Sequence, residues 1–382
     1  MPDHIADPTN SGLGDELPEA GTGLCLSGGG YRAMLFHVGV LWRLHELGRL
    51  KTLKRISSVS GGSITAAVLG CAWSKIGKDL ASGGGFVDHV VTPIRDLADR
   101  TLDAGAIMGG IFLPGTIGDR IADAYDDHLF GRATLQDLPD DTRFVINATN
   151  IQSGVLWRFS KPFMGDYRVG RILNPDLPLA KAVAASSAFP PVLSPVTIKL
   201  DPARFEPGSG YDLQRKPFTS RLVLSDGGVY DNLGLETVWK RYREVWVSDG
   251  GGKSQPEEEP HTDWPRHAYR VFDVIDNQVR SLRKRQIMAG FKERPGSTAK
   301  REGAYWGIRT DIARYSAPNA LNCPQARTLK LAAVPTRLKR LDDELQERLI
   351  NWGYAVTDAA YRTYVDRKAA YPSGFPYPKA EV

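Results

Sequence analysis

The chain is short of the features that would place it in several protein classes. Over its 382 residues no apolar run approaches the ~20 that a membrane-spanning helix requires, so the sequence predicts no bilayer crossing. Only three cysteines occur, Cys25, Cys71 and Cys323, far apart, and the first two lie in apolar runs, which predicts buried free thiols. The opening stretch MPDHIADPTNSGLGDELPEAG has no basic segment followed by an apolar one, so no export signal is read and a cytoplasmic setting is expected. His, Cys and Asp nowhere fall at metal-ligand spacing. There is no internal repeat of useful length and no aromatic-basic module for nucleic acid. Neither a metal, a cofactor nor a nucleic-acid partner is expected.

What is present is ordinary for a globular chain: 42% hydrophobic and 24% charged residues. The length suits one large domain, with a disordered start over residues 1–20, a core over 22–250 and a basic, helical extension over 251–382. The net charge of +5 is local in origin. Eight Lys or Arg residues against the single acid Glu293 lie between Arg280 and Arg301, which leaves the rest of the chain slightly acidic. Two readings fit this segment: a solvated helix whose cations pair with acids elsewhere, or a foothold on anionic lipid head groups, with Leu282, Ile287, Met288 and Phe291 inserting shallowly.

Strand-like runs appear at TGLCLS (Thr22 to Ser27), RISSVS (Arg55 to Ser60), RFVINAT (Arg143 to Thr149), RLVLS (Arg221 to Ser225) and EVWVS (Glu244 to Ser248). Helical runs follow several of them, AMLFHVGVLWRLHELG most clearly, with Gly48 at its C-cap. Such alternation predicts an α/β fold with a largely parallel sheet and helices on both faces. Long Gly- and Pro-containing loops are expected at Ser82 to Gly85, at Asp103 to Gly118, and over DPARFEPGSGYDLQRKPF and DGGGKSQPEEEPHTDWP. Near the end, TRLKRLDDELQERLINWGYA repeats leucine at helical spacing after Thr336, predicting an amphipathic helix capped by that threonine and a second helix from Asp358.

Three pieces of chemistry sit at the carboxyl ends of these strands, where open α/β sheets bind ligands. SGGGYRAM follows the first strand, and its glycines leave N–H groups uncovered at a helix start, an anion site that suits an oxyanion. In SVSGG, Ser60 falls on a strand-to-helix turn followed by two small residues, as in a nucleophile elbow, although Ser58 stands where the usual pattern has glycine. In LSDGGVYDN, Asp226 ends a strand and can accept the serine proton directly if the site is partly desolvated.

Taken together, SGGGYRAM, SVSGG and DGG resemble the patatin-like phospholipase family, the first motif being most similar to the cytosolic phospholipase A and fungal lysophospholipase branch. The resemblance covers roughly residues 22–250 and includes AASSAFPPV (Ala184 to Val192). It implies a patatin-like three-layer sandwich, mostly parallel sheet with helices on both faces, and helical C-terminal decoration. It further implies Ser60 as nucleophile with Asp226 as its partner, an oxyanion hole of Gly28, Gly29 and Gly30 with Gly61, and Arg32 steadying lipid phosphate or oxyanion. The implied reaction is metal-free hydrolysis of a glycerophospholipid acyl ester through an acyl-enzyme, by a protein peripheral on the inner membrane face.

Other readings exist for the same residues. Asp249, in a second SDGG, rivals Asp226. Gly28 to Ala33 also satisfies G-x-G-x-x-A, the dinucleotide fingerprint, but the second strand ends in Ser60 where that motif wants an acid. His261 or His267 can complete a histidine triad in the chain order of an α/β-hydrolase. A catalytically silent lipid-binding module of the same fold, or one switched on by an unknown activator with Asp103 to Gly118 as lid, completes the alternatives.

Overall fold

The computed structural model describes residues 17–77, 84–102, 116–191, 193–252 and 254–382. Most of the expected disordered start, part of Ser82 to Gly85 and most of the expected lid lie outside these residues.

Ten strands make one mixed sheet among the described residues. In chain order they are β1 (Glu19–Leu26), β2 (Arg55–Ser58), β3 (Arg143–Asn150), β4 (Val155–Phe159), β5 (Phe163–Asp166), β6 (Gly170–Leu173), β7 (Val196–Lys199), β8 (Arg221–Asp226), β9 (Tyr242–Asp249) and β10 (Glu302–Gly307). The order β10-β9-β1-β2-β3 is parallel throughout. This half holds four of the five expected strands, and it is covered by the helices that connect them.

Beyond β3 the pairing is antiparallel through β4, β5 and β6. Strand β8 also runs antiparallel to β3, with Asp226 opposite Ala148. Residues Ile146 to Asn150 of β3 are held by β4 on one edge. Over Ala148 to Asn150, β8 must therefore take the other edge, which β2 occupies as far as Ile146. Hence β2 running up and β8 running down meet end to end, carboxyl end against carboxyl end.

The principal helices are α1 (Gly30–Glu46), α2 (Gly61–Ala72), α3 (Thr92–Ala98), α4 (Ile117–Tyr125), α5 (Leu179–Ser186), α6 (Trp264–Lys292), α7 (Gln325–Ala332) and α8 (Asp343–Tyr364). Helix α1 is apolar on nearly every face because it lies between the sheet and α8. A Cβ on Gly39 would stand 1.9 Å from the Ile350 carbonyl oxygen, and one on Gly353 1.9 Å from that of Phe36. The two helices thus touch backbone to backbone.

Two C-terminal expectations are corrected. Helix α8 begins at Asp343, capped by Asp342, whose carboxylate accepts from the Leu345 N–H at 2.9 Å. Thr336 is no cap, because its hydroxyl accepts from Arg32 Nη2 at 2.9 Å and the backbone around it is pinned by Tyr31 N–H donating to Arg337 O at 3.1 Å. There is also no separate helix from Asp358, since α8 runs through that residue, which accepts from both Arg43 and Arg362 in a buried cluster.

All three cysteines are free, Cys25 and Cys323 buried and Cys71 half-buried. No helix among the described residues is long and apolar enough to cross a membrane. The basic segment forms the end of α6 and the turn after it, and much of its charge points inward. Arg280 and Lys284 pair with Asp249, Arg283 with Glu236, Lys300 Nζ donates to Phe291 O, and the Arg301 guanidinium donates to Trp239 O.

Candidate active site

Ser60 stands between β2 and α2 with φ 51° and ψ −121°, a backbone that side-chain-bearing residues rarely adopt and that costs about 1–3 kcal/mol. That turn lifts its hydroxyl clear of the sheet at the start of a helix. The two glycines that follow are required by proximity: a Cβ on Gly61 would lie 2.2 Å from Gly30 O, and one on Gly62 2.5 Å from Leu26 O. Gly28 faces Ser60 in the same way, its added Cβ falling 3.1 Å from Ser60 Cβ. The glycines of the two motifs therefore interlock. Ser58 needs no special conformation, being the last residue of β2; its hydroxyl donates to Val145 O at 3.3 Å and accepts from Ser63 Oγ at 3.0 Å.

Asp226 ends β8 directly across from this turn and is 2% exposed. Burial pushes its carboxyl up to about 7; the Gly228 N–H, donating to Oδ1 at 2.6 Å, and the nearby Ser60 hydroxyl pull the other way, and the charge of Asp276 adds to the rise. No closed hydrogen bond joins Ser60 to Asp226, and Oδ2 has no partner among the described residues. Unliganded catalytic pairs commonly show such loose contacts, which tighten around substrate.

The block AASSAFPPV joins the pair. Ser186 Oγ accepts the Ser60 N–H at 3.0 Å and donates to Asn147 O at 2.6 Å. Its carbonyl accepts from Gly227 N–H at 3.2 Å, and that of Ala188 accepts from Asp226 N–H at 2.9 Å. One short segment thus positions both residues. Its small-residue composition was visible in the sequence, whereas the role of Ser186 was not.

Gly29 and Gly30 have φ 142° and 60° and begin α1. Their N–H groups, with that of Gly61 at the start of α2, have no acceptor among the described residues and carry the positive ends of two helix dipoles. Gly28 differs from the expectation: its N–H already donates to Asn232 O at 3.0 Å, so it supplies room where a donor was expected. Arg32 is buried and turned to the protein, donating from Nε to Gly250 O at 3.1 Å, from Nη1 to Val334 O and from Nη2 to Thr336 Oγ1. It fastens the Val334–Leu338 wall over the helix start.

Ser60, Asp226, Gly29 and Gly30 line a cavity of about 720 Å³. Its lining includes the apolar or aromatic Phe189, Pro190, Leu193, Tyr269 and Phe272 and the charged Arg270, Asp273 and Asp276.

The model of the family described as patatin-like phospholipase matches residues 24–239, more than half of the chain. The chain belongs to the patatin-like phospholipase family. Among solved structures it is similar to human GIVD cytosolic phospholipase A2, at 15% identity and a TM-score of 0.55, over 93% of this chain and 64% of that one. It is likewise similar to the same human protein in complex with methyl gamma-linolenyl fluorophosphonate, at 15% identity and a TM-score of 0.51, over 89% of this chain and 57% of that one. At such identity the likeness concerns the fold, and the chain spans less than two thirds of the human protein. No curated protein matches the sequence.

Within this patatin-like framework the rival residues have other duties. Burial alone would raise the Asp249 carboxyl, but Arg280 and Lys284 outweigh it and hold the group well below the usual carboxylate range. Its oxygens are occupied by Arg280, Lys284 and Tyr305, so it is a poor base. Among the described residues no histidine lines the cavity; His261 and His267 are exposed. Buried His37 bridges Ser27 O and Ser248 Oγ at 2.9 Å each, and burial lowers its pKa to about 4. The space a dinucleotide pyrophosphate would need at Gly30 is filled by the Arg337 backbone, whose oxygen lies 2.6 Å from an added Cβ.

Proposed function

We propose that this chain is a lipid acyl hydrolase of the phospholipase A type, cleaving a carboxylic ester of a glycerophospholipid through an acyl-enzyme on Ser60. The observation that carries the reading is the end-to-end meeting of β2 and β8 on one edge of β3, which sets a strained serine and a buried carboxyl in one cavity beside unpaired N–H groups.

In this reaction Asp226 takes the Ser60 proton as Oγ attacks the ester carbonyl. The oxyanion lies against the N–H groups of Gly29, Gly30 and Gly61, where each donor contributes about 10²–10³ in rate. Protonated Asp226 then returns its proton to the departing lysolipid oxygen. Water, deprotonated by Asp226, attacks the acyl carbonyl; Ser60 leaves with that proton and a fatty acid is released. A carboxyl near pH 7 suits both directions of transfer.

Helix α6 supplies the approach to lipid. Tyr269 and Phe272 line the cavity on one of its faces, while Trp264, Val271, Val274, Ile275 and Leu282 stand exposed on another, Trp264 at 82%. An apolar face continuous with the mouth of an acyl-binding cavity fits a bilayer surface. The inward turn of the basic segment moves the foothold from residues 280–301 toward this earlier part of the helix.

The silent-module alternative rested on Ser58, which the strand accommodates without strain. Fatty acid and lysolipid released from phosphatidylcholine vesicles decide between the two. Release by the wild-type chain and a loss of roughly 10⁴-fold or more in Ser60→Ala is expected; no release by the wild type, or equal release by the variant, overturns the reading.

A further inference from the structure

A second cavity, of about 430 Å³, opens beside the first at the carboxyl ends of β9 and β10, and the reaction above makes no use of it. Four cations line it, Arg280, Lys284, Arg309 and Arg314, against two carboxylates, Asp249 and Asp311. Asp249 is saturated by Arg280 at 3.0 Å, Lys284 at 2.7 Å and the Tyr305 hydroxyl at 2.7 Å. Asp311 spends its side chain on the Ala313 N–H at 3.1 Å. The cavity therefore keeps an excess of positive charge after its own acids are counted.

Some of its donors also lack acceptors. Arg309 and Arg314 form no ion pair or side-chain hydrogen bond among the described residues. Arg280 is 8% exposed, and its Nε is buried without a partner. The first residue of α7, Gln325, stands in the wall, so the open N–H groups of that helix start add to the same field. A buried guanidinium N–H without an acceptor, as at Arg280 Nε, is costly, and an anion offering several oxygens relieves it while also pairing with the half-buried Arg309 and the exposed Arg314. A volume of this size exceeds what a lone inorganic ion fills. The lining is otherwise rich in hydroxyl and amide groups, among them Ser281, Thr310 and Asn277, so the remainder of the ligand is polar.

We propose that this second cavity binds a phosphate ester, with Arg309, Arg314, Arg280 and Lys284 around its phosphoryl oxygens. Arg280 and Gly252 line both cavities, and Arg280 Nη1 donates to Gly252 O, so an occupant here touches the wall of the catalytic pocket. The chemistry is shared by a soluble phosphate ester and by the phosphorylated head group of a lipid.

The test reads binding and leaves hydrolysis aside, and it is run on the full chain carrying Ser60→Ala, so its failure is separate from any failure of the hydrolase reading. Glycerol 3-phosphate is titrated calorimetrically, and phosphatidylcholine vesicles with and without phosphatidate are sedimented with the protein. Arg309→Gln with Arg314→Gln is compared with Arg309→Lys, which keeps the charge, and with Arg204→Gln, an exposed arginine outside both the cavity and the basic segment. Binding of a soluble probe that falls at least about tenfold in the double variant, partly returns in Arg309→Lys and is unchanged in Arg204→Gln supports the proposal with a soluble source. Phosphatidate-dependent sedimentation alone showing that pattern supports a lipid head group. Binding that does not depend on Arg309 and Arg314, or falls equally in Arg204→Gln, overturns it, as does no binding of any probe. Circular dichroism and the thermal midpoint confirm that each variant is folded.

Discussion

At the scale of single residues, the proposed chemistry depends on the Asp226 carboxyl, which burial pushes up to about 7. If Asp226 acts as the base, it must be ionised in the free enzyme, so kcat/KM rises with pH through a single ionisation near 7 and levels above it. A profile flat from pH 5.5 to 8.5 contradicts that role. The same shift has a consequence for stability. Between the unfolded value near ~3.9 and about 7, the folded chain retains a proton that the unfolded chain has released, so this group's contribution to stability is full at low pH and is lost as pH rises through the folded value. Asp226→Asn removes a buried charge that is unfavourable at pH 8. The variant is expected to unfold at a higher temperature than wild type at that pH, by a margin that shrinks below pH 5, while its hydrolysis is lost. A lower midpoint at pH 8 contradicts the assignment.

Among the elements, the contact of α1 with α8 bears most directly on the site, because α1 carries Gly29 and Gly30 at its start. Gly353→Ala places a methyl group against Phe36 O and must separate the two helices. A loss of about 1–3 kcal/mol in denaturant unfolding is expected, and an unchanged midpoint shows that the crossing is looser than described. How much of this was legible in the sequence follows from where each signal lies. The five strands β1, β2, β3, β8 and β9 were readable because their β-branched runs are local, as were the three motifs at their ends. Strands β5 and β6 are four residues each and carry Gly165 and Gly170, so nothing local marks them. The antiparallel direction of β8 follows from pairing with β3, some 75 residues earlier, and is invisible to any local pattern. Thr336 misled for the same reason: it has the chemistry of a cap, but Arg32, distant in sequence, claims its hydroxyl. Ser186 belongs to a small-residue block legible in the sequence, yet its bond to the Ser60 N–H exists only once α5 is folded against the β2–α2 turn.

For the whole molecule, the proposed reaction requires that the cavity meet an aggregated substrate. On this proposal the exposed apolar face of α6 and the cations left outside the fold are expected to make separable contributions. Val274→Asp with Ile275→Asp is expected to weaken sedimentation with phosphatidylcholine vesicles at least about tenfold, because two apolar insertions become charged. Removing three charges of the basic segment, by Arg285→Gln, Lys292→Gln and Arg294→Gln, is expected to cost less and only at low salt. The reverse order would return the foothold to residues 280–301. The account as a whole rests on Ser60 being an activated nucleophile that depends on Asp226, and labelling with a fluorophosphonate probe measures this most directly. Rapid labelling of the wild-type chain, none in Ser60→Ala and labelling slowed at least roughly 10³-fold in folded Asp226→Asn is the expected result. Labelling that persists in Ser60→Ala, or proceeds at the wild-type rate in Asp226→Asn, would contradict the account.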